Sequence, residues 1–492
     1  MCSKPPENCI LIKENRLSDR LKMLKHLLEK TFKLQENQTS VKREIYGGCI
    51  SFFAISYILA VNPAILNAAG LDRGGVLCAT VLSGFLGTVL MAMFANYPLL
   101  LAPGMGINAF FAFTVVRTMG YSWQFALFAV VIEGLIFLLL SLSSIREKII
   151  NAIPMPLKYA MGTGVGMFIT LIAFKSANII CDHPDTLLTI QDFFGDKFHT
   201  AGISALLALS GVLITGHLLQ RKVPGAILLG ILLTWGAGMI CQVFGAYHVI
   251  PTEGYYSMFP TFSKEIFTSM FSGFRSLFGA AFNVQDWRSI SSGNQGWMLI
   301  RSFDFAVICF SFLFTDFFDT VGTINGAVVN TPLMKKDGTI PRLRGALMAD
   351  SVATFVGGIL GTSTVTTMAE SSAGIAAGAR TGLAAMTGAV LFLISLIAAP
   401  LFIAIPGFAT APALIIVGFL MLRSITCVDL TDVAGAIPAY LLICGMVFTY
   451  SISDGLGIGV IAWCVLNCGI KGRVNWLLWA ISLMFAAKYV FL

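Results

Sequence analysis

Apolar runs of membrane-spanning length follow one another from about residue 47 to the C-terminus of this 492-residue chain. A helix rises about 1.5 Å per residue and the hydrocarbon core of a bilayer is about 30 Å thick, so roughly 20 apolar residues cross it. Only 12% of the residues are charged, about half the share found in soluble proteins. The sequence therefore predicts an all-α polytopic membrane protein. It leaves no room for a soluble catalytic domain, so we do not expect an enzyme.

Charge is unevenly distributed along the chain, whose net charge is +7. Lys and Arg crowd the first 45 residues and recur in later loops, whereas residues 181–200 contain four aspartates. The positive-inside rule places the basic loops and the N-terminus in the cytoplasm, and the plasma membrane is the simplest location. Topology thus explains the basic residues without a nucleic-acid partner. Residues 20–34 are basic and amphipathic, and we interpret them either as a surface helix or as a disordered tail, not as a secretory signal.

The candidate spans number about fourteen, but two segments are too short to cross the bilayer as helices. These segments, near residues 105–118 and 368–379, occupy corresponding places in the two halves of the chain. Each opens with an extended or glycine-interrupted piece, LLLAPG in one and TSTVTT in the other. Each then begins a short helix with a polar residue, Asn108 in the first and Glu370 in the second.

Interrupted backbone of this kind points to a binding site. Backbone groups left unpaired in lipid cost several kcal/mol each, so irregular segments are tolerated only when they are buried in protein or line a cavity. Paired broken helices in an inverted repeat mark the binding site of many transporters. The N-terminus of a short helix also directs free N–H groups into such a site. The pattern therefore predicts a ligand with hydrogen-bond acceptors at its edge.

Acidic residues within the predicted spans are the second signal. Asp316 and Asp319 are three residues apart and share one helical face, whereas Asp304 lies nearer the start of that span. Ionisable groups in a membrane span are costly and are usually functional. Desolvation favours a neutral acid, so these carboxyls can take up and release a proton. The alternative is a hydrogen-bonding role between helices. Glu133 has no broken backbone beside it, which favours a structural or peripheral coupling role.

Capping is an alternative role for both polar residues of the short helices, Asn108 and Glu370. Aromatic residues are dense around them, and one or two would stack on a flat ring, while most face lipid or the core. These aromatic residues are Phe52, Phe53, Tyr57, Phe110, Phe111, Phe113, Phe317 and Phe318. Carboxylates that accept ring N–H groups, an amide and a stacking ring together suit a small planar heterocycle.

Other ligand motifs fail on their context. GMGINA matches a loose dinucleotide pattern, but that pattern requires a soluble strand–turn–helix unit, which the chain lacks. No phosphate-binding loop and no metal-ligand spacing occur, and the cysteines lie mostly in apolar segments, where they pack as small hydrophobes. We therefore expect no metal and no cofactor.

Five motifs together resemble the AzgA-like purine permeases of the nucleobase–cation symporter family, which also includes uracil and xanthine permeases. They are VKREIYGGCISFFAISYILAVNPAIL, APGMGINAFFAF, FLFTDFFDTVGT, LGTSTVTTMAESSAGIAAGARTGLAA and FATAPALIIVG, and the match runs from about residue 41 to 491. The resemblance implies fourteen helices in two inverted seven-helix repeats, with half-helices at spans 3 and 10. It also implies import of adenine, guanine or hypoxanthine with protons, by movement of a core domain against a gate domain.

The resemblance divides the chain into six parts. They are a cytoplasmic tail (1–44), the first half of the core with spans 1–4 (45–145), the first half of the gate with spans 5–7 (146–245), a loop (246–300), the second half of the core with spans 8–11 (301–405) and the second half of the gate with spans 12–14 (406–492).

Site residues follow from the same motifs. The predicted substrate-binding residues are Tyr57, Gly106, Asn108, Phe110, Asp316, Asp319 and Glu370, and both aspartates and Glu370 are also candidates for proton coupling. Pro412 resembles a gate position that affects specificity. Met368 replaces an aromatic-type position of the family, which bears on base preference. Asn62 and Pro63 are expected to mark the end of the first span.

Several alternatives stay open at the level of sequence. A related-fold anion exchanger would favour neutral or basic residues where Glu370 lies, and a channel or structural membrane protein would need no carboxylate there. The sequence does not rank the purines, does not separate protons from sodium beyond the resemblance, and does not assign the base contact to Asp316 or Asp319. Flat gate-domain surfaces would permit a homodimer.

Overall fold

The computed structural model describes residues 28–142, 154–183, 187–195, 197–250, 257, 259–260, 262–290, 293–328, 342–469 and 474–491. Within these residues, nine helices are long and apolar enough to cross a membrane, and four shorter apolar helices accompany them. The predicted all-α polytopic architecture is confirmed.

The first half of the chain runs from α1 to α8. Its elements are α1 (Val41–Ile55), α2 (Ile58–Asn67), α3 (Arg73–Phe94), β1 (Leu101–Pro103), α4 (Met105–Ala109), α5 (Trp123–Leu142), α6 (Met155–Ser176), β2 (Ile180–His183), β3 (Leu187–Ile190), α7 (Ile203–Gln220) and α8 (Ala226–Val243). A π-helical segment, Phe110–Thr118, continues α4, and a second one, Phe198–Gly202, precedes α7.

The second half runs from the amphipathic helix α9 to the C-terminus. Its elements are α9 (Lys264–Leu277), α10 (Phe303–Val328), α11 (Leu343–Leu360), β4 (Val365–Thr367), α12 (Ser372–Ala376), α13 (Gly382–Ser395), α14 (Ala399–Ala404), α15 (Gly407–Leu422), α16 (Val433–Phe448), α17 (Ile452–Leu466) and α18 (Trp476–Phe491). Short 3-10 turns connect them at Ala280–Phe282, Val284–Asp286, Gly296–Arg301, Ala369–Ser371, Leu396–Ala398 and Arg423–Cys427.

The two extended pieces predicted from LLLAPG and TSTVTT pair with each other. β1 and β4 are antiparallel, with Leu101 opposite Thr367 and Pro103 opposite Val365. One further backbone hydrogen bond extends the ribbon at each end, with lengths of 3.1 and 3.0 Å. This pairing satisfies backbone groups that lipid would leave unpaired. Because the strands are antiparallel, the short helices that follow them leave the ribbon from opposite ends, as an inverted repeat requires.

Both helices that follow the ribbon are short. The first is α4 with its π-helical continuation, and the second is the 3-10 turn Ala369–Ser371 with α12. The prediction that neither segment crosses the bilayer as a regular helix is confirmed. Their first turns begin where the ribbon ends, so backbone N–H groups of both helices lie close to the ribbon.

The first span contains a break that the sequence did not reveal. α1 ends at Ile55 and α2 begins at Ile58, so Tyr57 lies between two helices. The expectation that Asn62 and Pro63 mark the end of this span is wrong, because both lie inside α2, which continues to Asn67. An Asn-Pro pair is a local stop signal, but here hydrogen bonds to distant segments hold Asn62 within the helix.

Helices of residues 45–145 pack against helices of residues 301–405, with α5 and α3 both contacting α11. Helices of residues 146–245 likewise pack against those of residues 406–492, with α6 contacting α15 and α16. α6 and α15 cross closely at Gly166 and Gly418, where a Cβ on Gly166 would lie 2.7 Å from the carbonyl oxygen of Gly418. This crossing agrees with the close helix packing that GxxxG spacing favours.

Only the end of the amphipathic N-terminal stretch belongs to the described residues. Residues 28–32 are helical, and Phe32 and Leu34 pack into a buried cluster with Leu383 and Ala385. The side chain of Asn96 donates to the carbonyl of Phe32 over 3.0 Å. The part before residue 28 lies outside the described residues, as do the basic pairs at 146/148 and 335/336.

Candidate functional site

The break between α1 and α2 faces the start of the second short helix. The hydroxyl of Tyr57 donates a hydrogen bond of 2.7 Å to Oε1 of Glu370. Tyr57 is fully buried, whereas Glu370 is only partly buried and its neighbours Ala369 and Ser372 are exposed. The structure thus brings two of the predicted site residues together and leaves Glu370 only partly buried.

Glu370 also occupies the first turn of the short helix, in the 3-10 turn Ala369–Ser371. A carboxylate is favoured there by the partial positive charge of the helix N-terminus. The first-turn interpretation and the binding interpretation therefore coexist at Glu370. Nearby, Ser371 accepts a 3.0 Å hydrogen bond from the backbone N–H of Leu100, and its carbonyl accepts one of 3.1 Å from Ser51. These bonds fix the start of the helix against β1 and α1.

Asn108 lies in a buried polar cluster that joins the two halves of the chain. Its amide nitrogen donates to Oδ1 of Asn62 over 2.6 Å, and its amide oxygen accepts a hydrogen bond from Ser363. The amide nitrogen of Asn62 in turn donates to Thr80 at 2.7 Å and to Thr362 at 3.1 Å. The cluster ties the first short helix to the extended segment of the second.

The capping interpretation of Asn108 is wrong. Gly104 is the N-cap of α4, and Asn108 lies four residues further along, where its side chain points to other elements. A residue at that position has passed the free N–H groups of the first turn, so capping has no target. A substrate contact by Asn108 stays a prediction.

Removing the amide of Asn108 is expected to destabilise the protein. In an Asn108→Leu variant, Oδ1 of Asn62 and the hydroxyl of Ser363 lose buried partners, which costs about 1–3 kcal/mol. The apparent melting temperature of the purified protein in detergent should fall. The Asn62→Leu variant should fall similarly, and the double variant should lose less than the sum, because the two residues share one hydrogen bond. Additive losses would contradict the cluster.

α10, which carries the predicted acids, packs against the 3-10 turn that contains Glu370. Asp316 is fully buried, and Oγ1 of Thr354 lies 3.4 Å from its Oδ2. The side chain of Asp319 lies outside the described residues. Asp304 accepts a 2.8 Å hydrogen bond from the hydroxyl of Tyr121, near the start of the helix, as expected for an interfacial position.

Two further acids lie close to Asp316. Glu133 of α5 and Asp350 of α11 are both fully buried. Oε2 of Glu133 accepts a 3.1 Å hydrogen bond from Thr364. Asp350 accepts hydrogen bonds from Thr320 and, over 3.2 Å, from Thr367. Asp350 was not among the predicted site residues, and Glu133 was expected to have only a structural or peripheral coupling role.

Hydroxyl groups of TSTVTT were missed as site residues. Five of its six residues carry a hydroxyl, and each one bonds a different buried polar side chain. The residues are Thr362, Ser363, Thr364, Thr366 and Thr367. Such a density of hydroxyls in an otherwise apolar region is a signal that sequence reasoning can use, because buried hydroxyls require partners.

The remaining predicted residues lie around this centre. Phe110 is fully buried and packs edge-on against Phe312 with ring centroids 4.8 Å apart. Gly106 lies against Val165 of α6, and a Cβ on Gly106 would overlap Cγ1 of that valine. Met368 is buried at the end of the ribbon.

Pro412 lies elsewhere, inside α15. A Cβ on Gly211 of α7 would lie 2.7 Å from Cγ of Pro412. Its described packing is therefore with α7, in the predicted gate. Across the described ranges, no group of three His, Cys, Asp or Glu side chains is arranged to hold a metal ion.

Comparison with known sequences gives consistent results. The sequence profile of the Permease family of xanthine and uracil permeases matches residues 42–458. The guanine/hypoxanthine permease PbuG of Bacillus subtilis is 39% identical over 475 residues, which are 94% of this chain and 99% of the relative. The adenine permease AdeP of Escherichia coli is 34% identical over 469 residues, which are 95% of this chain and 96% of the relative.

The fold is shared with a solved transporter structure. The transmembrane domain of the cyanobacterial bicarbonate transporter BicA superposes with a TM-score of 0.58, at 16% identity, covering 85% of this chain and 97% of that domain. At this identity the likeness establishes the fold alone and carries no substrate assignment. The predicted inverted-repeat transporter fold is confirmed.

Proposed function

Because the chain belongs to the Permease family of xanthine and uracil permeases, we propose that it transports purine nucleobases, namely adenine, guanine or hypoxanthine. It is a multi-pass integral membrane permease and not an enzyme. The structural observation that carries the proposal is the partly buried Glu370, whose carboxyl is held by Tyr57 at the start of a short helix.

The chemistry of that position suits a purine. A purine carries N–H donors and ring-nitrogen or carbonyl acceptors around the edge of one flat ring. The carboxylate of Glu370 accepts ring N–H groups, while free N–H groups of the adjacent helix turn donate to the acceptors. Hydrogen bonds to an ionised carboxylate are shorter and stronger than neutral ones. A polar edge of this kind discriminates a purine from an apolar molecule of the same size.

Import is coupled to protons, and alternating access arises from movement of the core domain against the gate domain. The buried acids next to the ribbon support the coupling, since intramembrane carboxyls serve as proton relays in transporters. The close approach of α4 and α6 at Gly106 supports a sliding boundary between core and gate. The N-terminus lies in the cytoplasm, the protein resides in the plasma membrane, and gate-domain surfaces pair two copies in a homodimer.

The anion-exchange alternative shares the fold and is not favoured by the site. An anion requires neutral or basic groups, but the second short helix begins with Glu370. An ionised glutamate next to an anion is repulsive, and this repulsion grows as water is excluded.

Uptake measurements test the proposed function directly. Cells or proteoliposomes that contain the protein should accumulate radiolabelled adenine, guanine or hypoxanthine in a saturable manner, and a protonophore should abolish accumulation above equilibrium. Replacing sodium with choline should have no effect. Accumulation that persists with the protonophore but requires sodium would contradict proton coupling. Transport of bicarbonate with no purine uptake would favour the anion alternative.

A further inference from the structure

Glu133 is a fully buried acid in the middle of α5. Among the described residues, no Lys, Arg or His forms an ion pair with it. Its Oε2 accepts a hydrogen bond from Thr364, whereas its Oε1 accepts none from a donor among the described residues. An ionised carboxylate in such surroundings is expensive, so the site requires another source of compensation.

The carboxyl of Asp316 on α10 is a close neighbour of the Glu133 side chain. Two ionised carboxylates are both acceptors only and repel each other, so they cannot form a hydrogen bond. A single proton on one of them would relieve the repulsion and allow such a bond. Neighbouring carboxyls that share a single proton are a known arrangement, because the proton removes the repulsion between two like charges side by side.

Asp350 is the third acid of this group, and its partners differ. It accepts from the hydroxyls of Thr320 and Thr367. The hydroxyl of Thr320 has one proton, which it donates to Asp350. In the 2.7 Å hydrogen bond between Thr320 and Thr366, the donor is therefore Thr366. Two hydroxyl donors suit an ionised carboxylate. Among the described residues, the thiol of Cys309 on α10 is a further titratable neighbour of Glu133.

We propose that Glu133, paired with Asp316, holds the transported proton, while Glu370 is the acid that contacts the base. This inference rests on the proposed proton symport. Loading adds one proton to the carboxylate pair and forms the acid–carboxylate hydrogen bond. Release returns that proton to water on the other side, and no covalent bond changes.

The extended segment connects the two acids. Thr364 bonds Glu133, and the same segment leads through β4 into the turn that contains Glu370. An ionised Glu133 accepts a stronger hydrogen bond from Thr364 than a neutral one does, so loading the pair weakens a hydrogen bond at the base of the ribbon. Proton and purine thus act on one element, and their coupling must be reciprocal.

The test compares net uptake with exchange in proteoliposomes for wild type and Glu133→Gln. The glutamine amide donates to Asp316 and preserves the hydrogen bond, but it cannot release a proton. The variant is expected to exchange labelled for unlabelled purine as wild type does, and to lose proton-driven accumulation. A variant that still accumulates purine in a protonophore-sensitive manner overturns the inference, because a purely structural role would be met by glutamine.

Glu44→Gln is the matched control. Glu44 is another fully buried glutamate, which accepts from the backbone N–H groups of Arg380 at 2.9 Å and Thr381 at 3.0 Å. This variant is expected to lose thermal stability while the protein that folds keeps its proton-driven accumulation. Loss of coupling in Glu44→Gln as well would overturn the specific role of Glu133.

A second variant covers the case in which Glu133→Gln does not fold. Thr364→Val removes the hydroxyl that donates to Glu133 and keeps its shape. It is expected to change the pH at which net uptake is half-maximal and to leave exchange unchanged, whereas an unaltered pH profile overturns the inference.

Wild-type uptake that does not respond to the protonophore would contradict the proposed symport itself. This result is distinct from a Glu133→Gln variant that keeps its proton coupling, which contradicts only the role of Glu133.

Discussion

Replacing Glu370 with alanine is expected to abolish purine uptake without loss of the protein from the membrane. Glu370 is only partly buried, and among the described residues the hydroxyl of Tyr57 is the side-chain donor that holds its carboxyl. A hydrogen bond between a charged and a neutral group contributes about 1.5–3 kcal/mol, and each 1.4 kcal/mol is a factor of ten in affinity. Losing one such bond to a purine N–H therefore weakens binding by roughly 10- to 150-fold.

Two further variants separate the charge of Glu370 from its position. Glu370→Gln keeps the shape and the acceptor oxygen but loses the charge, so purine affinity should fall nearly as far as in the alanine variant. Tyr57→Phe removes the hydroxyl that holds the carboxyl and leaves the carboxyl itself. Its loss should be smaller, roughly two- to tenfold. Equilibrium binding of labelled purine to purified protein measures all three, and membrane yield controls for folding.

A specific outcome would contradict the assignment of Glu370 as the acid that contacts the base. If Glu370→Ala binds and accumulates purines as wild type does, the carboxyl does not contact the base, whatever the other residues do. If the alanine variant loses binding while Tyr57→Phe loses more, the tyrosine hydroxyl contacts the base directly. In that case the hydrogen bond between Tyr57 and Glu370 would be broken when substrate binds.

The two interruptions of helical backbone could be predicted because the amino-acid composition of each segment differs from that of its surroundings. LLLAPG and TSTVTT are unlike the apolar helices around them, and a membrane allows few explanations for such segments. Their corresponding places in the two halves did not by themselves predict that they pair into one ribbon. The register, with Leu101 opposite Thr367, did not follow, because it depends on how two distant segments pack.

Hydrogen bonds between side chains that are distant in sequence could not be predicted from local sequence patterns. Tyr57 and Glu370 are separated by 313 positions, and Thr364 and Glu133 by 231. No spacing rule relates residues at such distances, since only the packed fold brings them together. Asn62 shows the opposite failure, in which a local rule was outweighed. Its Asn-Pro sequence predicts a helix end, but its hydrogen bonds to Thr80, Thr362 and Asn108 hold it inside α2.

These misses share one physical cause. Every buried polar side chain in a membrane protein must find a partner, and in this chain the hydroxyls of residues 362–367 supply many of them. The buried acids are costly and require hydrogen-bond donors. The TSTVTT segment is the evident source of donors in the sequence, because five hydroxyls in six residues exceed what an apolar region can leave unpaired.

Substituting Gly106 with alanine is expected to slow transport by roughly tenfold or more while purine binding persists, because overpacking costs about 1–3 kcal/mol. Gly106 lies in the first turns of α4, in the predicted core domain, and a Cβ there would overlap Cγ1 of Val165 on α6, in the predicted gate. The β-branched valine is stiff and cannot turn away freely. The strain exists only where the two helices meet in this arrangement, so the substitution shifts the balance between arrangements instead of removing a substrate contact.

Rescue by a second substitution tests whether this contact limits movement. Val165→Ala removes the methyl groups that the new Cβ would meet, so the Gly106→Ala/Val165→Ala double variant should recover most of the rate, an interaction that independent sites do not show. Gly236→Ala is the matched control, since that helical glycine has open space where its Cβ would lie, and its transport should equal wild type.

Initial rates of uptake, measured beside equilibrium binding, separate slower movement from weaker affinity. A Gly106→Ala variant at full rate would show that α4 and α6 do not press together during the cycle. A slow variant that Val165→Ala fails to rescue would place the clash elsewhere, and the boundary between core and gate would then have to run along other helices.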